Sequence, residues 1–287
     1  MRLGSDNTGS YIEFDPCAWT VGNLREEYNR RARAIDALGD NLMLGMSSGV
    51  DSQAALLSFL DQGIKIQTAF LHMPGYNDNE FYNLLKLQRA WQFESTVIEI
   101  DPIKCKSLIL ELSAQLDIPP FQILHRQFLA ELPSDVNFLQ GGDGPFITFI
   151  RGQAHFYEGY NTYEMTRNRA FNTLGRRGLN LLFDKTSELV VSALQDDIMQ
   201  SFINAHEMYT STGVKNVDWW DVYIKPMYYG KYWARDLMYF PKFAGAENID
   251  YVMQGVEHRY REKFITVPVD KLLADLTTTG ARYYTKS

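Results

Sequence analysis

The stretch that decides the fold of this chain is Asn41-Leu42-Met43-Leu44-Gly45-Met46-Ser47-Ser48-Gly49-Val50-Asp51-Ser52-Gln53. Residues 41–46 form a short, mostly apolar run, which predicts a buried strand. Residues 47–52 are a turn of small residues, and residues 53–61 carry apolar side chains at helical spacing. Gly63 follows as a suitable C-terminal cap. The stretch therefore predicts a strand, a tight loop and a helix in succession.

The same alternation of strand and helix continues on both sides of this stretch. Periodicity predicts helices at 22–38, 79–91, 103–116 and 121–131, and strands at 65–72, 95–100 and 135–140. Strands that alternate with helices indicate an α/β fold, with a twisted parallel sheet and helices on both of its faces. Ligands of such sheets bind beyond the carboxyl ends of the strands, where both the loop 47–52 and the loop 141–144 are expected.

The flanking parts of the chain have a different character. Residues 1–20 are expected to be irregular, residues 186–209 and 247–263 have helical spacing, and residues 219–243 are rich in aromatic side chains. We expect three parts: an N-terminal segment and helix at 1–40, an α/β core at 41–150, and a mostly helical region at 151–287 that shapes a substrate site.

Bulk composition excludes several classes of function. The 287 residues carry a net charge of −7, which disfavours a protein that coats nucleic acid. Two cysteines cannot supply a four-cysteine zinc site. The absence of a secretory leader and of an 18-residue apolar run predicts a reduced, cytoplasmic protein without a membrane span.

The loop 47–52 has the chemistry of an anion site. The first amides of a helix lack internal acceptors, and the helix dipole is positive there. Ser47, Ser48 and Ser52 offer hydroxyl groups, and Gly49 allows a phosphate to approach the backbone. Asp51 would repel a phosphate unless Mg²⁺ bridged the two, so it is a candidate metal ligand. The alternative is a structural turn in which Asp51 caps the helix.

The string SSGVDS resembles the SGGxDS signature of the ATP pyrophosphatase (PP-loop) superfamily, with Ser48 in a place usually held by glycine. The resemblance implies a Rossmann-like (HUP) fold and an enzyme that cleaves ATP between the α- and β-phosphates to adenylate its substrate, with Mg²⁺. It also implies a nucleotide site in which backbone groups after the second strand hold adenine. The residues assigned to this site are Gly45, Ser47, Ser48, Gly49, Val50, Asp51, Ser52, Leu71, His72 and Met73.

Within the superfamily, the missing cysteines exclude the zinc-dependent deazaguanine enzymes, the sulfonucleotide reductases and most tRNA thiolation enzymes. The segment Leu139-Gln140-Gly141-Gly142-Asp143-Gly144 resembles the loop of the asparagine synthetase domain. The resemblance implies a ligase that forms C–N bonds, with Gly141 and Gly142 at the nucleotide and Asp143 as a base or Mg²⁺ contact. Only about 40 residues precede the first core strand, so a built-in glutaminase is not expected.

Pyrophosphate requires cationic partners besides Mg²⁺. Lys225 is the catalytic candidate, beside Asp51 and Asp143, and it lies with Lys231 and Arg235 among aromatic residues that suggest a lid or a substrate pocket. Arg167 and Arg169 are further candidates.

Two alternatives to a small-molecule amide ligase stay open. The target oxygen could belong to a nucleobase, or the chain could bind ATP or AMP without turnover. The expected partners are a small-molecule or nucleobase substrate, a separate nitrogen donor and further copies of the chain in a homo-oligomer.

Overall fold

A computed structural model of the protein describes residues 2–6, 9–39, 41–116, 120–140, 146–160, 173–175, 178–179, 186–205, 225–233, 236–238, 240 and 263–284. Its strands, in chain order, are β1 (Arg2–Asp6), β2 (Gly9–Phe14), β3 (Leu42–Gly45), β4 (Gln67–His72), β5 (Ser95–Glu99), β6 (Asn137–Gln140), β7 (Phe146–Ile150), β8 (Gln153–Tyr160), β9 (Gly178–Leu179), β10 (Lys263–Pro268) and β11 (Ala281–Tyr284). Its helices are α1 (Leu24–Asp36), α2 (Val50–Leu60), α3 (Asp78–Trp91), α4 (Lys106–Leu116), α5 (Pro120–Glu131), α6 (Ser187–Gln195), α7 (Asp197–Asn204), α8 (Lys225–Trp233) and α9 (Val269–Thr278).

The core of the fold is a five-stranded sheet in the order β5-β4-β3-β6-β9, and every neighbouring pair in it is parallel. The chain leaves β3 toward β4 and β5, then returns to the other side of β3 as β6. The strand order therefore reverses between β3 and β6, which is where α/β sheets open a ligand crevice. The loop 47–52 emerges at this point, and Gly45 lies opposite Gln140, the last residue of β6.

Two hydrophobic cores cover the two faces of the sheet. Neighbouring residues on a strand point to opposite faces, and accordingly Met43 packs with α4 and α5 while Leu44 packs with α1, α2 and α6. The same division separates Ala69 from Phe70 on β4 and Phe138 from Leu139 on β6. The predicted α/β fold with helices on both faces is confirmed.

Two small antiparallel sheets complete the described structure and were not predicted. The hairpin β1-β2 pairs with β11, so residues 1–20, expected to be irregular, contain two strands. The second sheet has the order β10-β8-β7. Each sheet adds a strand from far along the sequence to a local hairpin, β1-β2 or β7-β8, and periodicity does not reveal that distant pairing. Strand β9 belongs to the parallel sheet, so the boundary expected near residue 150 does not separate the sheets.

The C-terminal region contains α6 to α9, together with strands. The single helix expected at 186–209 is two helices in the described residues, because Asp196 takes an extended conformation with ψ 139° between them. Its carboxylate then accepts a hydrogen bond from the Ile198 amide at 2.9 Å and caps α7. The helix expected at 247–263 lies outside the described residues except for Lys263, which begins β10. None of the helices in the ranges given above is both long and apolar enough to cross a bilayer.

Candidate functional site

The loop between β3 and α2 is closed by the hydroxyl of Ser52. Its Oγ lies 2.8 Å from the Ser47 carbonyl and 2.9 Å from the Gly49 carbonyl, and it accepts from the Ser47 amide at 3.2 Å. Gly49 is the N-cap of α2 with φ −72° and ψ 153°, angles open to any residue. The backbone angles therefore do not require glycine there. The hydroxyl of Ser52, assigned to the nucleotide from sequence, is engaged in holding the loop shape.

Gly45, at the end of β3, is required by packing. A Cβ at this position would lie 2.5 Å from Cζ of Phe138 on the neighbouring strand. The Phe138 ring is buried and packs edge-on against Phe128 of α5. Gly45 thus lets the strand that leads into the loop approach β6 closely, which accounts for the glycine without a contact to nucleotide.

The charged centre of the site is an ion pair between Asp51 and Lys225. Asp51 lies in the first turn of α2, and Lys225 is the first residue of α8, 174 positions later. The Lys225 ammonium contacts the Asp51 carboxylate, and the two side chains are 9% and 17% exposed. The structure therefore brings two of the three predicted catalytic residues together at the N-terminus of α2, where the helix dipole adds positive potential.

Lys225 reaches this position because it belongs to the buried face of α8. That face comprises Lys225, Tyr228, Tyr229 and Trp233, which follow the i, i+3, i+4, i+8 spacing of one side of a helix. The three aromatic side chains are almost fully buried, and Tyr229 shares a 3.0 Å hydrogen bond between hydroxyls with Tyr28 of α1. These three aromatics anchor α8 to the core and do not line a lid or a substrate pocket. Trp219 and Trp220, which contributed to the same expectation, lie outside the described residues. The sequence signal for the buried position of Lys225 was a lysine at the helical spacing of the apolar residues of α8.

Lys231, the other described lysine of α8, has a different environment. Its Nζ lies 2.8 Å from the buried Asp196 carboxylate and also contacts Asp197. Burial lowers the pKa of Lys231, but the hydrogen bonds to Asp196 and Asp197 outweigh burial and raise it. Burial and the hydrogen bond to Asp196 likewise raise the pKa of the neighbouring Tyr232 to about 12. Lys231 anchors α8 at the corner between α6 and α7, so its expected role toward pyrophosphate is not supported.

Gln53 is a residue of the site that sequence reasoning missed. Its side chain is fully buried in α2. Nε2 donates to the carbonyls of Ser48 and Met238, each at 2.8 Å, and Oε1 accepts from the Met238 amide at 2.9 Å. One side chain thus joins the loop to a segment 185 residues away. A glutamine inside an apolar helical run was the signal in the sequence.

The backbone groups expected to hold adenine, at the end of β4, have protein partners. Asn77, which is buried, accepts from the Met73 amide at 2.7 Å and donates to the Leu71 carbonyl at 2.8 Å. The His72 carbonyl accepts from the Ile100 amide at 2.9 Å. An adenine ring at this edge would use the second lone pairs of these carbonyls, because the Met73 amide already donates to Asn77.

The His72 side chain lies between two carboxylates at the same sheet edge. Nδ1 is 3.1 Å from Glu99 and Nε2 is 2.9 Å from Asp78, while the ring stacks on Phe81 at 4.4 Å. A carboxylate only accepts, so a neutral ring donates to one of the two and a protonated ring to both. The hydrogen bond from His72 lowers the pKa of Asp78. His72 thus ties α3 to the ends of β4 and β5.

The donor chemistry fits a magnesium ion that arrives with a nucleotide. In the described part of the chain, no three His, Cys, Asp or Glu side chains form a metal-binding group. Mg²⁺ usually needs only one or two protein carboxylates and takes its other ligands from phosphates and water. The Asp51 carboxylate, partly exposed beside the loop, meets that requirement.

Several predicted residues lie outside the described ranges. These are Gly141, Gly142 and Asp143 of the loop after β6, and the candidate cations Arg167, Arg169 and Arg235. Their assignments stay predictions. Gln140, immediately before the loop, pairs with Gly45, which places the start of the loop beside the start of the loop 47–52.

Comparisons with known proteins return structural neighbours at low similarity. Neither models of known protein families nor curated proteins match the sequence. An NMN synthetase from Francisella tularensis is 13% identical over 76% of this chain and 99% of its own, with a TM-score of 0.35. A predicted tRNA methyltransferase subunit from Methanocaldococcus jannaschii is 12% identical over 50% of this chain and 67% of its own, with a TM-score of 0.30. At these values the likeness assigns no activity, and the resemblance to asparagine synthetase is carried by the sequence alone.

Proposed function

We propose that this chain is an ATP pyrophosphatase (PP-loop) enzyme that adenylates an oxygen of its substrate and releases pyrophosphate and then AMP. The observation that carries the proposal is the ion pair between Lys225 and Asp51 at the N-terminus of α2. A cation, a carboxylate and a helix N-terminus meet there beside the SSGVDS loop, at the point where the strand order reverses. This combination suits a magnesium-bound polyphosphate.

The proposed role of each residue in binding and cleaving ATP follows from its charge. Amides of the loop and of the first turn of α2 would bind phosphate oxygens, and Asp51 would hold Mg²⁺. When bound, Mg²⁺ neutralises the charge that develops on the departing pyrophosphate. The Lys225 ammonium, held within contact of Asp51, would add a second positive charge at the same place. Such fixed charges would stabilise the charge on departing pyrophosphate, and the choice of the bond between the α- and β-phosphates rests on the resemblance to the superfamily.

An amine is the proposed group that displaces AMP. Sulfur transfer needs a reactive thiolate, and the described cysteines do not favour one. Burial, followed by the nearby Glu188 and Glu27 carboxylates, raises the pKa of Cys17 to about 11. Cys105 packs against the core on the sheet face opposite α2. The proposed product is therefore an amide or related C–N bond, as in asparagine synthetases, with Asp143 as the candidate base.

The nitrogen donor and the quaternary structure complete the proposal. We propose a donor that is free, tethered to the substrate or delivered by a partner, and a homo-oligomeric state that light scattering would test.

Product analysis with labelled ATP tests the proposal. The purified protein is incubated with ATP, Mg²⁺ and pools of carboxylic acids, amines and nucleosides, and the nucleotide products are separated. We expect AMP and pyrophosphate, and we expect both to be lost in Asp51→Asn. The matched control is Asp61→Asn, which changes an aspartate at the other end of α2 that bonds Arg25 at 2.7 Å.

Three outcomes would contradict the proposal. Formation of ADP and phosphate would show that the protein cleaves ATP between the β- and γ-phosphates instead. Tight binding of ATP without products for any acceptor class would favour a nucleotide-sensing module. Product formation only with nucleoside or RNA acceptors would keep the adenylation step and replace the small-molecule acceptor.

A further inference from the structure

The Gln53 side chain is the strongest feature of the site that the proposed chemistry leaves unused. All eight residues from Ser52 to Phe59 are buried in α2, and Gln53 is 0% exposed. A buried primary amide is costly unless it is hydrogen-bonded. Gln53 makes three hydrogen bonds at 2.8 to 2.9 Å, and all three go to backbone groups.

The bond to Ser48 determines the direction of the next amide. In a trans peptide the carbonyl and the following N–H lie in one plane and point in opposite directions. Because the Ser48 carbonyl points at Gln53 Nε2, the Gly49 N–H points away from it, and its acceptor is Ser47 Oγ at 3.2 Å. Ser47 and Gly49 are both exposed. Gln53 therefore presents the Gly49 amide on the open side of the loop, where a phosphate oxygen would approach.

The two bonds to Met238 fix the segment that follows α8. The amides of Asp236 and Leu237 both donate to the Trp233 carbonyl at 2.9 Å, so these two residues are bonded to the last residue of α8. At the far end of α2, Arg25 bonds both Asp61 and the Tyr232 carbonyl at 2.8 Å. Lys225 and Met238 thus contact α2 at Asp51 and at Gln53, which are two residues and about 200° apart on the helix.

We infer that Gln53 is a positioning residue: it orients the Gly49 amide and ties Met238, in the segment after α8, to the loop. This inference rests on the proposed function. The ordinary alternative is a core glutamine whose hydrogen bonds contribute only to stability. The two alternatives predict different results when Gln53 is replaced. If Gln53 positions the site, activity falls more than the amount of folded protein falls; if Gln53 only stabilises the fold, the two fall together.

Two substitutions separate these readings. Gln53→Leu keeps the volume but leaves the Ser48 carbonyl and both Met238 groups without their partner. Since misplacing reacting groups by about 1 Å costs about 100-fold, we expect kcat for pyrophosphate release to fall by about 10- to 100-fold and the KM for ATP to change less. The matched control is Ser58→Ala, which removes a buried hydroxyl of the same helix whose 2.7 Å hydrogen bond to Ala54 stays within α2.

Gln53→Glu adds a readout that a structural role would not produce. A carboxylate cannot donate to Ser48 or Met238, whereas the protonated acid donates one hydrogen bond. Burial raises the pKa of a carboxylic acid, so the protonated form accumulates as the pH falls. We expect the activity of Gln53→Glu relative to the wild type to rise with falling pH, and that of Gln53→Leu to stay constant.

Two quantities are measured for the wild type and each variant. The first is pyrophosphate release per folded protein, with the folded fraction taken from circular dichroism. The second is the rate of hydrogen exchange of the Met238 amide. Faster exchange and lower kcat in Gln53→Leu, with a normal Ser58→Ala, support the inference. Equal activity of Gln53→Leu and Ser58→Ala, or a flat pH ratio for Gln53→Glu, overturns it. If Gln53→Leu does not fold, the pH ratio of Gln53→Glu decides. A wild type without pyrophosphate release contradicts the proposed function instead, and the Met238 exchange then shows whether Gln53 holds the segment.

Discussion

The ion pair between Asp51 and Lys225 allows a prediction that separates stability from chemistry. Lys225→Met removes the ammonium and keeps most of the side-chain volume. Two unit charges 4 Å apart at an effective dielectric constant of 20 attract each other by about 4 kcal/mol. Asp51 keeps 17% exposure, and the helix dipole stabilises the remaining carboxylate by about 0.3–1 kcal/mol. We therefore expect Lys225→Met to lower the free energy of unfolding by about 2–3 kcal/mol.

The double variant completes the cycle. Asp51→Asn should destabilise the protein by a similar amount, because it removes the carboxylate that contacts the Lys225 ammonium, a side chain only 9% exposed. In Asp51→Asn/Lys225→Met both charges of this pair are removed together, so the combined cost should fall below the sum of the single costs by about 2 kcal/mol. Urea unfolding of the four proteins measures this coupling energy.

Enzyme activity should not recover in the double variant, although part of the stability should. Pyrophosphate release should stay at least about 100-fold below the wild type in the double variant, since both proposed charged groups are missing. Lys231→Met is the control on the same helix, because it breaks the ion pairs with Asp196 and Asp197 and leaves the loop untouched. A coupling energy near zero would refute the ion pair, and recovery of turnover in the double variant would refute the catalytic role of both residues.

Three further predictions follow from contacts of the same region. Gly45→Ala should destabilise the protein by about 1–3 kcal/mol, because its Cβ would lie 2.5 Å from Phe138 Cζ; in a Phe138→Leu background urea unfolding should show a smaller cost, and an equal cost would contradict the clash. Ser52→Ala removes the hydroxyl that bridges the Ser47 and Gly49 carbonyls and should weaken ATP binding in calorimetry about tenfold; unchanged affinity would show that the loop keeps its shape without it. The hydrogen bond from His72 holds the pKa of Asp78 below its unfolded value of 3.8. The stability that the Asp78 carboxylate contributes is therefore present above that pH and is lost as the pH falls further. Acid unfolding should be less steep in Asp78→Asn than in the wild type, and an identical pH profile would contradict this prediction.

Local patterns predicted the parallel sheet and the position of the loop. The strands β3 to β6 and the helices α2 to α5 start and end within a few residues of their predicted bounds. Gly63 has the positive φ of 69° expected of a C-terminal cap. These features were readable because helix and strand periodicity, together with turn-forming residues, are properties of neighbouring positions.

Long-range pairing was not readable in the same way. The strands at the two ends of the chain find each other across more than 260 positions, as in the pairing of Glu13 with Arg282. The break at Asp196 interrupts an apolar spacing that looks continuous in sequence. Both outcomes depend on partners that are remote along the chain, and a local pattern carries no information about them.

The sequence by itself determined that a strand, the SSGVDS loop and a helix follow one another with Asp51 in the first turn of the helix, and it predicted an anion site there. Only the tertiary structure distinguished Lys225, which reaches Asp51, from Lys231, which anchors the helix to Asp196. It also showed that Gln53 joins the loop to Met238. The physical reason is that a charge or a buried amide is stabilised by whichever opposite charge or backbone group lies beside it after folding. Residue type and spacing limit the possible partners of such a group, and the packing of the folded chain determines which partner it has.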